Sequence, residues 1–136
     1  MIFAPETLHA FFYRSQLSPD FDNRCVTDIV RTARHFNQTH GITGILIFDG
    51  QQFCQYLEGP PRIIDDLIER IATDPRHVMF TALYQAKDLH TRRFQEWSMA
   101  YVLIGDNDEP LSVLTKLQGI HSVDRLQAWL PQLDMA

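Results

Sequence analysis

Few side chains here have the chemistry for an interior site, and they are scattered. Tyr13 closes the aromatic run LHAFFY (8–13), and Asn37 ends an apolar stripe at helical spacing. Gln55 lies between Phe53 and Leu57 on one face of an alternating run. Arg76 and His77 follow Asp74-Pro75, and Trp97 and Met99 lie two apart in FQEWSMAYVLI (94–104). A phenol donates and accepts a hydrogen bond, and a carboxamide offers a donor and an acceptor on one terminus. Burying that carboxamide costs free energy unless both ends find partners. Gln55 is therefore either a core glutamine satisfied by backbone or water, or a residue that bonds a ligand. Tyr13 is a packing residue with its hydroxyl at the rim unless it serves the same ligand. Asn37 has a helix-capping alternative. Arg76 and His77 are either a solvated loop or an anion site. A Trp-x-Met pair at period two fits core packing.

The elements that must position these residues follow from patterning. Leu8–Tyr13 reads as a first strand, leading through Arg14-Ser15 into a polar loop around Ser18-Pro19-Asp20. Asp22 or Asn23 can cap a helix to about Gln38, with Val26, Ile29, Val30 and Ala33 inward and Gly41 at its exit. Ile42 to Pro60 is a hairpin, expected to turn through Asp49-Gly50 in a type I′ geometry. Its first strand is apolar on both faces. Its second puts Phe53, Gln55 and Leu57 on one face and Cys54, Tyr56 and Glu58 on the other. Pro60-Pro61 opens a second helix carrying Ile63, Ile64, Leu67, Ile68 and Ile71, which stops at Asp74-Pro75. Asp65, Asp66, Glu69 and Arg70 read as solvated. Val78–Gln85 is a fourth strand, Lys87–Arg93 a polar connection and Phe94–Ile104 a fifth strand. Leu111–Gln118 and a segment capped by Ser122 are two short C-terminal helices. The order is a ferredoxin-like β-α-β-β-α-β-β α+β fold, with two helices on one sheet face. The division expected is 1–105 as the core unit and 106–136 as a helical extension, an output or dimer surface.

Composition narrows the function classes. The 136 residues suit one domain with a real core, and the 45% hydrophobic, 21% charged content is that of a soluble globular protein. A net charge of −5 opposes nucleic acid as the main partner. No run is long enough to cross a bilayer, and no secretory pattern opens the chain, so a cytoplasmic protein is expected. Cys25 and Cys54 lie outside any Cys-x-x-Cys pattern and read as reduced thiols. The histidines lack ligand spacing, so no metal is expected and most read as surface residues.

Several pieces, in order, resemble the BLUF family of blue-light sensors that bind FAD: Phe12-Tyr13-Arg14-Ser15; Asn37 with Gly41-Ile42-Thr43-Gly44; Phe53 through Pro60; Asp74-Pro75-Arg76-His77; and Arg92-Arg93-Phe94 with Trp97-Ser98-Met99. The resemblance implies a flavin ring between the two helices above the sheet. It implies Tyr13 as electron and proton donor, Gln55 between Tyr13 and the flavin, and Asn37 at the ring's polar edge. It further implies Ile29 and Ile71 sandwiching the ring, Phe53 nearby, and Arg76 and His77 toward the ribityl–phosphate side. Trp97 and Met99 would be the relay outward. No Gly-x-Gly-x-x-Gly loop is present, so FMN or riboflavin is expected to be tolerated in place of FAD. The chain departs from the family at Phe36, where members often carry a polar residue. The expected output is a separate effector protein or a change of homo-oligomer, with no catalytic turnover. The alternatives on the same fold are an acylphosphatase-like hydrolase using Arg76, His77 and Asn37, and a non-catalytic binding domain using its sheet.

Overall fold

The computed structural model describes residues 7–94, 100–103 and 120–129. The elements run β1 (Leu8–Leu17), α1 (Cys25–His40), β2 (Thr43–Phe48), β3 (Gln52–Gly59), α2 (Pro61–Ala72), β4 (His77–Leu89), β5 (Ala100–Leu103) and α3 (Ile120–Trp129). The five strands form one sheet in the order β4-β1-β3-β2-β5. β5 runs parallel to β2, and the other pairings are antiparallel. This is the ferredoxin-like arrangement with a strand added beside β2.

β3 lies at the centre, and its alternation divides the molecule. Phe53 and Leu57 pack with Val26 and Val30 of α1 and Ile64 of α2. Cys54 and Tyr56 face the other way, into a cluster with Phe12, Ile45, Ile47, Phe94 and the α3 residues Val123 and Leu126. The described C-terminal helix therefore covers the sheet face opposite α1 and α2. Ile45, Ile47, Tyr56 and Leu126 are fully buried there; each such aliphatic contributes about 1.5–3 kcal/mol.

Four local expectations need correction. The hairpin turns one residue later than Asp49-Gly50. Phe48 pairs with Phe53, and Gly50 has the turn's one positive φ (+96°). That suits glycine at the first central position of a type II′ turn and excludes type I′, which needs two positive angles. The Asp49 carboxylate drives the shift by accepting from the N–H groups of Gln51 (2.9 Å) and Gln52 (2.6 Å). α1 starts at Cys25, because Asp22 caps a preceding turn instead, accepting from the Arg24 N–H at 2.9 Å. β1 and β4 outrun their apolar cores, to Leu17 and Leu89, because cross-strand pairing continues through their polar ends. Ser122 lies inside α3 and is fully buried rather than capping it. The helix expected over 111–118 lies outside the described residues.

Two glycines are dictated by geometry. Gly41 ends α1 at φ +71°, while Gly41 and Ile42 donate to the Asn37 carbonyl. At Gly44 a Cβ would lie 2.0 Å from the Tyr56 carbonyl oxygen, so β2 approaches β3 only without a side chain there. Among the described residues no helix is long and apolar enough to cross a membrane.

Candidate functional site

A cavity of about 200 Å³ lies between α1, α2 and the sheet. β1 contributes Tyr13, β2 Leu46, and β3 Phe53, Gln55 and Leu57. α1 contributes Ile29, Thr32, Ala33, Phe36 and Asn37, and α2 contributes Leu67, Arg70 and Ile71. Asp74, Arg76 and His77 close one end. All eight residues expected to surround a ligand thus line one space: Tyr13, Ile29, Asn37, Phe53, Gln55, Ile71, Arg76 and His77. Trp97 and Met99, the expected relay, lie outside the described residues.

Strand register brings the central pair together. Tyr13 on β1 is the direct antiparallel partner of Gln55 on β3. Both side chains point to the helix side, and the Tyr13 hydroxyl donates a short hydrogen bond to Gln55 Oε1. Both are at most 5% exposed. Burial, then the nearby Cys54 and Asp74, pushes the phenol well above its ordinary value of 10.0. Tyr13 therefore keeps its proton at neutral pH. Phe80 stacks on its ring at 4.7 Å, and the His77 ring meets it edge-on at 6.1 Å.

Asn37 resolves its two readings by dividing them. Its backbone carbonyl ends the helix, and its side chain, 1% exposed, lines the cavity. Arg76 is committed to Asp74. Its Nε and NH2 groups donate to the carboxylate at 3.0 and 2.6 Å, and its backbone N–H adds a bond of 2.9 Å. That pairing holds the Asp74 carboxyl below its usual range and raises the guanidinium further. It leaves Arg76 poorly placed as the anion site a hydrolase would need. His77 Nε2 faces the Ile71 carbonyl, so that nitrogen carries hydrogen and donates. Nδ1 lies 2.7 Å from Ser15 Oγ and accepts from it in the neutral ring. His77 is thus a built-in part of the cavity wall. With His9, which bonds Asp65 at 2.8 Å, it is an exception to the reading of surface histidines.

Sequence patterning missed Thr32, Ala33, Leu46, Leu57, Leu67, Arg70 and Asp74 as lining residues. Asp74 read as a helix stop, though the spacing Asp74-x-Arg76 was a usable sign of a local ion pair. Arg70 read as solvated. It is, but its guanidinium also lies 5.3 Å from the centre of the Phe36 ring, at the cavity rim. Phe36 in turn stacks on His40 at 4.1 Å. Cys54, beside Gln55 in sequence, points away from the cavity; burial pushes its thiol up to about 12, so it stays protonated. Among the described residues no cluster of three or more His, Cys, Asp or Glu could hold a metal.

The walls suit a flat heteroaromatic group. Ile29 and Ala33 on one helix and Leu67 and Ile71 on the other give apolar sides. Gln55, Asn37 and Tyr13 give a polar floor, and no glycine-rich phosphate cradle is needed. The donor set therefore fits a flavin ring system.

Comparison with other proteins agrees. The family model described as BLUF, sensors of blue-light using FAD, matches residues 8–100. The blue light- and temperature-regulated antirepressor BluF of Escherichia coli (strain K12) is 36% identical over 70 residues, 52% of this chain and 17% of that protein. The photoactivated adenylate cyclase subunit beta of Euglena gracilis is 33% identical over 117 residues, 85% of this chain and 13% of that protein. The chain thus corresponds to a small part of each of these relatives. Among solved structures, BlrB, a BLUF protein in its dark state, superposes with a TM-score of 0.66 at 35% identity, covering 74% of this chain and 75% of the other. BlsA in its ground state gives 0.68 at 31% identity, covering 81% and 74%.

Proposed function

The chain belongs to the BLUF family of sensors of blue light using FAD, and from that premise we propose that Tyr13 and Gln55 form its light-responsive switch. The hydrogen bond from the Tyr13 hydroxyl to Gln55 Oε1, inside the cavity, carries this reading. A bound flavin supplies absorption of blue light and, once excited, an acceptor for an electron. Ile29 and Ile71 would hold it from the two helices, Asn37 and Gln55 would offer it hydrogen bonds, and Phe53 and His77 line the same cavity. Arg76 acts through Asp74 as a fixed end to the cavity. FAD is the natural occupant, and the absence of a phosphate-binding loop supports tolerance of FMN or riboflavin.

Tyr13 would give an electron and a proton to the bound flavin and would take both back as the flavin returns to its resting state, leaving no net redox change. Burial keeps its proton in place until an electron leaves. The Gln55 carboxamide then rotates or tautomerises, and its donor and acceptor ends exchange. Each hydrogen bond gained or lost there is worth about 1 kcal/mol, enough to shift a two-state element.

The chain acts as a sensor without turnover of its own. Its output passes from residues 1–105 through the 106–136 extension to a separate effector protein, with self-association as a second route. Trp97 and Met99 are the relay that family likeness assigns. Relatives named as an antirepressor and as a photoactivated cyclase subunit support an effector as recipient. Tyr13→Phe and Gln55→Leu test the switch. Each is expected to bind flavin and to lose the reversible spectral shift on illumination. A variant that cycles like the parent overturns the assignment of that residue.

A further inference from the structure

Glu58 lies on β3, three residues beyond Gln55, and is fully buried. It shares the strand face of Cys54 and Tyr56, away from the cavity. Its carboxylate accepts from the backbone N–H groups of Phe94 (2.7 Å) and Arg93 (3.1 Å) and from the hydroxyls of Tyr56 (3.0 Å) and Thr43 (3.4 Å). Arg92 ties the same segment down. Its guanidinium donates to Thr43 Oγ1 (2.9 Å), the Glu58 carbonyl (3.2 Å) and the Gly41 carbonyl (2.5 Å).

The segment then reaches α3. Arg93 NH1 donates to Gln127 Oε1 at 2.6 Å and lies 3.4 Å from Asp124 Oδ1. Phe94 packs edge-on against Tyr56 at 5.0 Å, in the cluster that holds Val123 and Leu126. One side chain of the central strand thus gathers the backbone of 93–94, whose side chains grip the C-terminal helix.

We propose that Glu58 and Arg93 couple β3 to α3, so that a change at Gln55 shifts the position of the C-terminal helix. The coupling rests on the light-switch reading above, and it runs through residues 93 and 94, in addition to the Trp97–Met99 relay. Gln55 is the input because it and Glu58 share one rigid strand. α3 is the output because Arg93 bonds it directly. Arg93 is the contact both ends share: its backbone N–H is held by Glu58 and its guanidinium holds Gln127.

The experiment is hydrogen exchange of the FAD-loaded full chain, dark and illuminated, with absorption spectra of the same samples. In the parent, amides of 120–129 should exchange at rates that differ by roughly threefold or more between the two conditions. Arg93→Ala should keep the spectral shift and lose that light–dark difference. Gln127→Ala, a milder change at the α3 end of the contact, should cut it by at least half. A purely structural bond would raise α3 exchange equally in both conditions and leave the difference intact. Retention of the full difference in Arg93→Ala overturns the coupling, as does a parent that shifts spectrally with no change in α3. A parent with no spectral shift overturns the light-switch reading itself, seen in the spectrum alone, and the coupling falls with it.

Discussion

Gln55 and Glu58 stand on the same strand and face opposite ways, and their surroundings differ as their jobs do. Gln55 is neutral, borders a cavity, and accepts from the Tyr13 phenol. Glu58 lies on the strand face away from that cavity, with four donors around its carboxylate. A buried carboxylate is tolerable only when nearly every lone pair is used, so its partners are locked. A neutral carboxamide can exchange its two ends for about 1 kcal/mol per hydrogen bond. The cavity face is therefore suited to change and the far face to holding on.

Glu58→Leu probes that contrast most strongly. It strands two backbone N–H groups and a tyrosine hydroxyl in an apolar cluster, at about 1–3 kcal/mol each, partly offset by relief of carboxylate burial. The expected loss is about 3–4 kcal/mol in urea unfolding. Gln55→Leu leaves a single buried donor, the Tyr13 hydroxyl, without its acceptor and should cost about 1–2 kcal/mol by the same measurement. Equal losses at the two positions would erase the contrast.

Gly44→Ala tests whether the close approach of β2 to β3 is as rigid as both faces require. With backbone 2.0 Å from the new Cβ, the strands must part. A loss of about 2–3 kcal/mol is expected, with weaker flavin retention. A neutral result would mean that the sheet is softer than drawn here.

Asp74 supplies a smaller effect at the cavity end. Its carboxyl is held below the usual 3.8 chiefly by the Arg76 side chain. A group with a lowered folded value stabilises above its unfolded value, and that stability is lost as pH falls through the folded value. Unfolding midpoints should therefore drop as pH falls below about 4 in the parent, with this part of the drop absent in Asp74→Asn. Because the pair is partly exposed, the difference at neutral pH should be under about 1 kcal/mol. Unchanged acid sensitivity in the variant would place the titrating group elsewhere.

Met79 should matter least. It has φ +57° in a bulge where it and Phe80 stand opposite Ser15, and it is 69% exposed. Met79→Gly trades left-handed strain of about 1–2 kcal/mol against glycine's entropy of about 0.5–1 kcal/mol. A gain of under about 1 kcal/mol is expected, with the photocycle unchanged. A destabilised variant would show that the Met79 side chain packs against something that matters.

The sheet and its helices were legible because each carries a clean period. The β3 alternation by itself separates Gln55 from Glu58, and Pro61 and the isoleucines mark α2. The hairpin was placed one residue off because the Asp49 carboxylate, not its backbone, sets the turn. The strand ends were underread because β1 and β4 pair through polar residues such as Ser15 and Lys87, which carry no apolar signal. For the site, the eight lining residues came from family resemblance, since Tyr13 and Gln55 lie 42 positions apart and only register joins them. The Glu58 network was invisible for the same reason, whereas the Asp74-x-Arg76 pair is local and its spacing was a usable sign. Glu58 reads as an ordinary strand-end charge until the backbone of 93–94 folds over it.

The most direct measurement is the absorption spectrum of the flavin-loaded protein before and after blue light, followed in the dark. The account predicts a small red shift of the flavin bands that returns in the dark. A flavin-loaded protein whose spectrum is unmoved by light would contradict it.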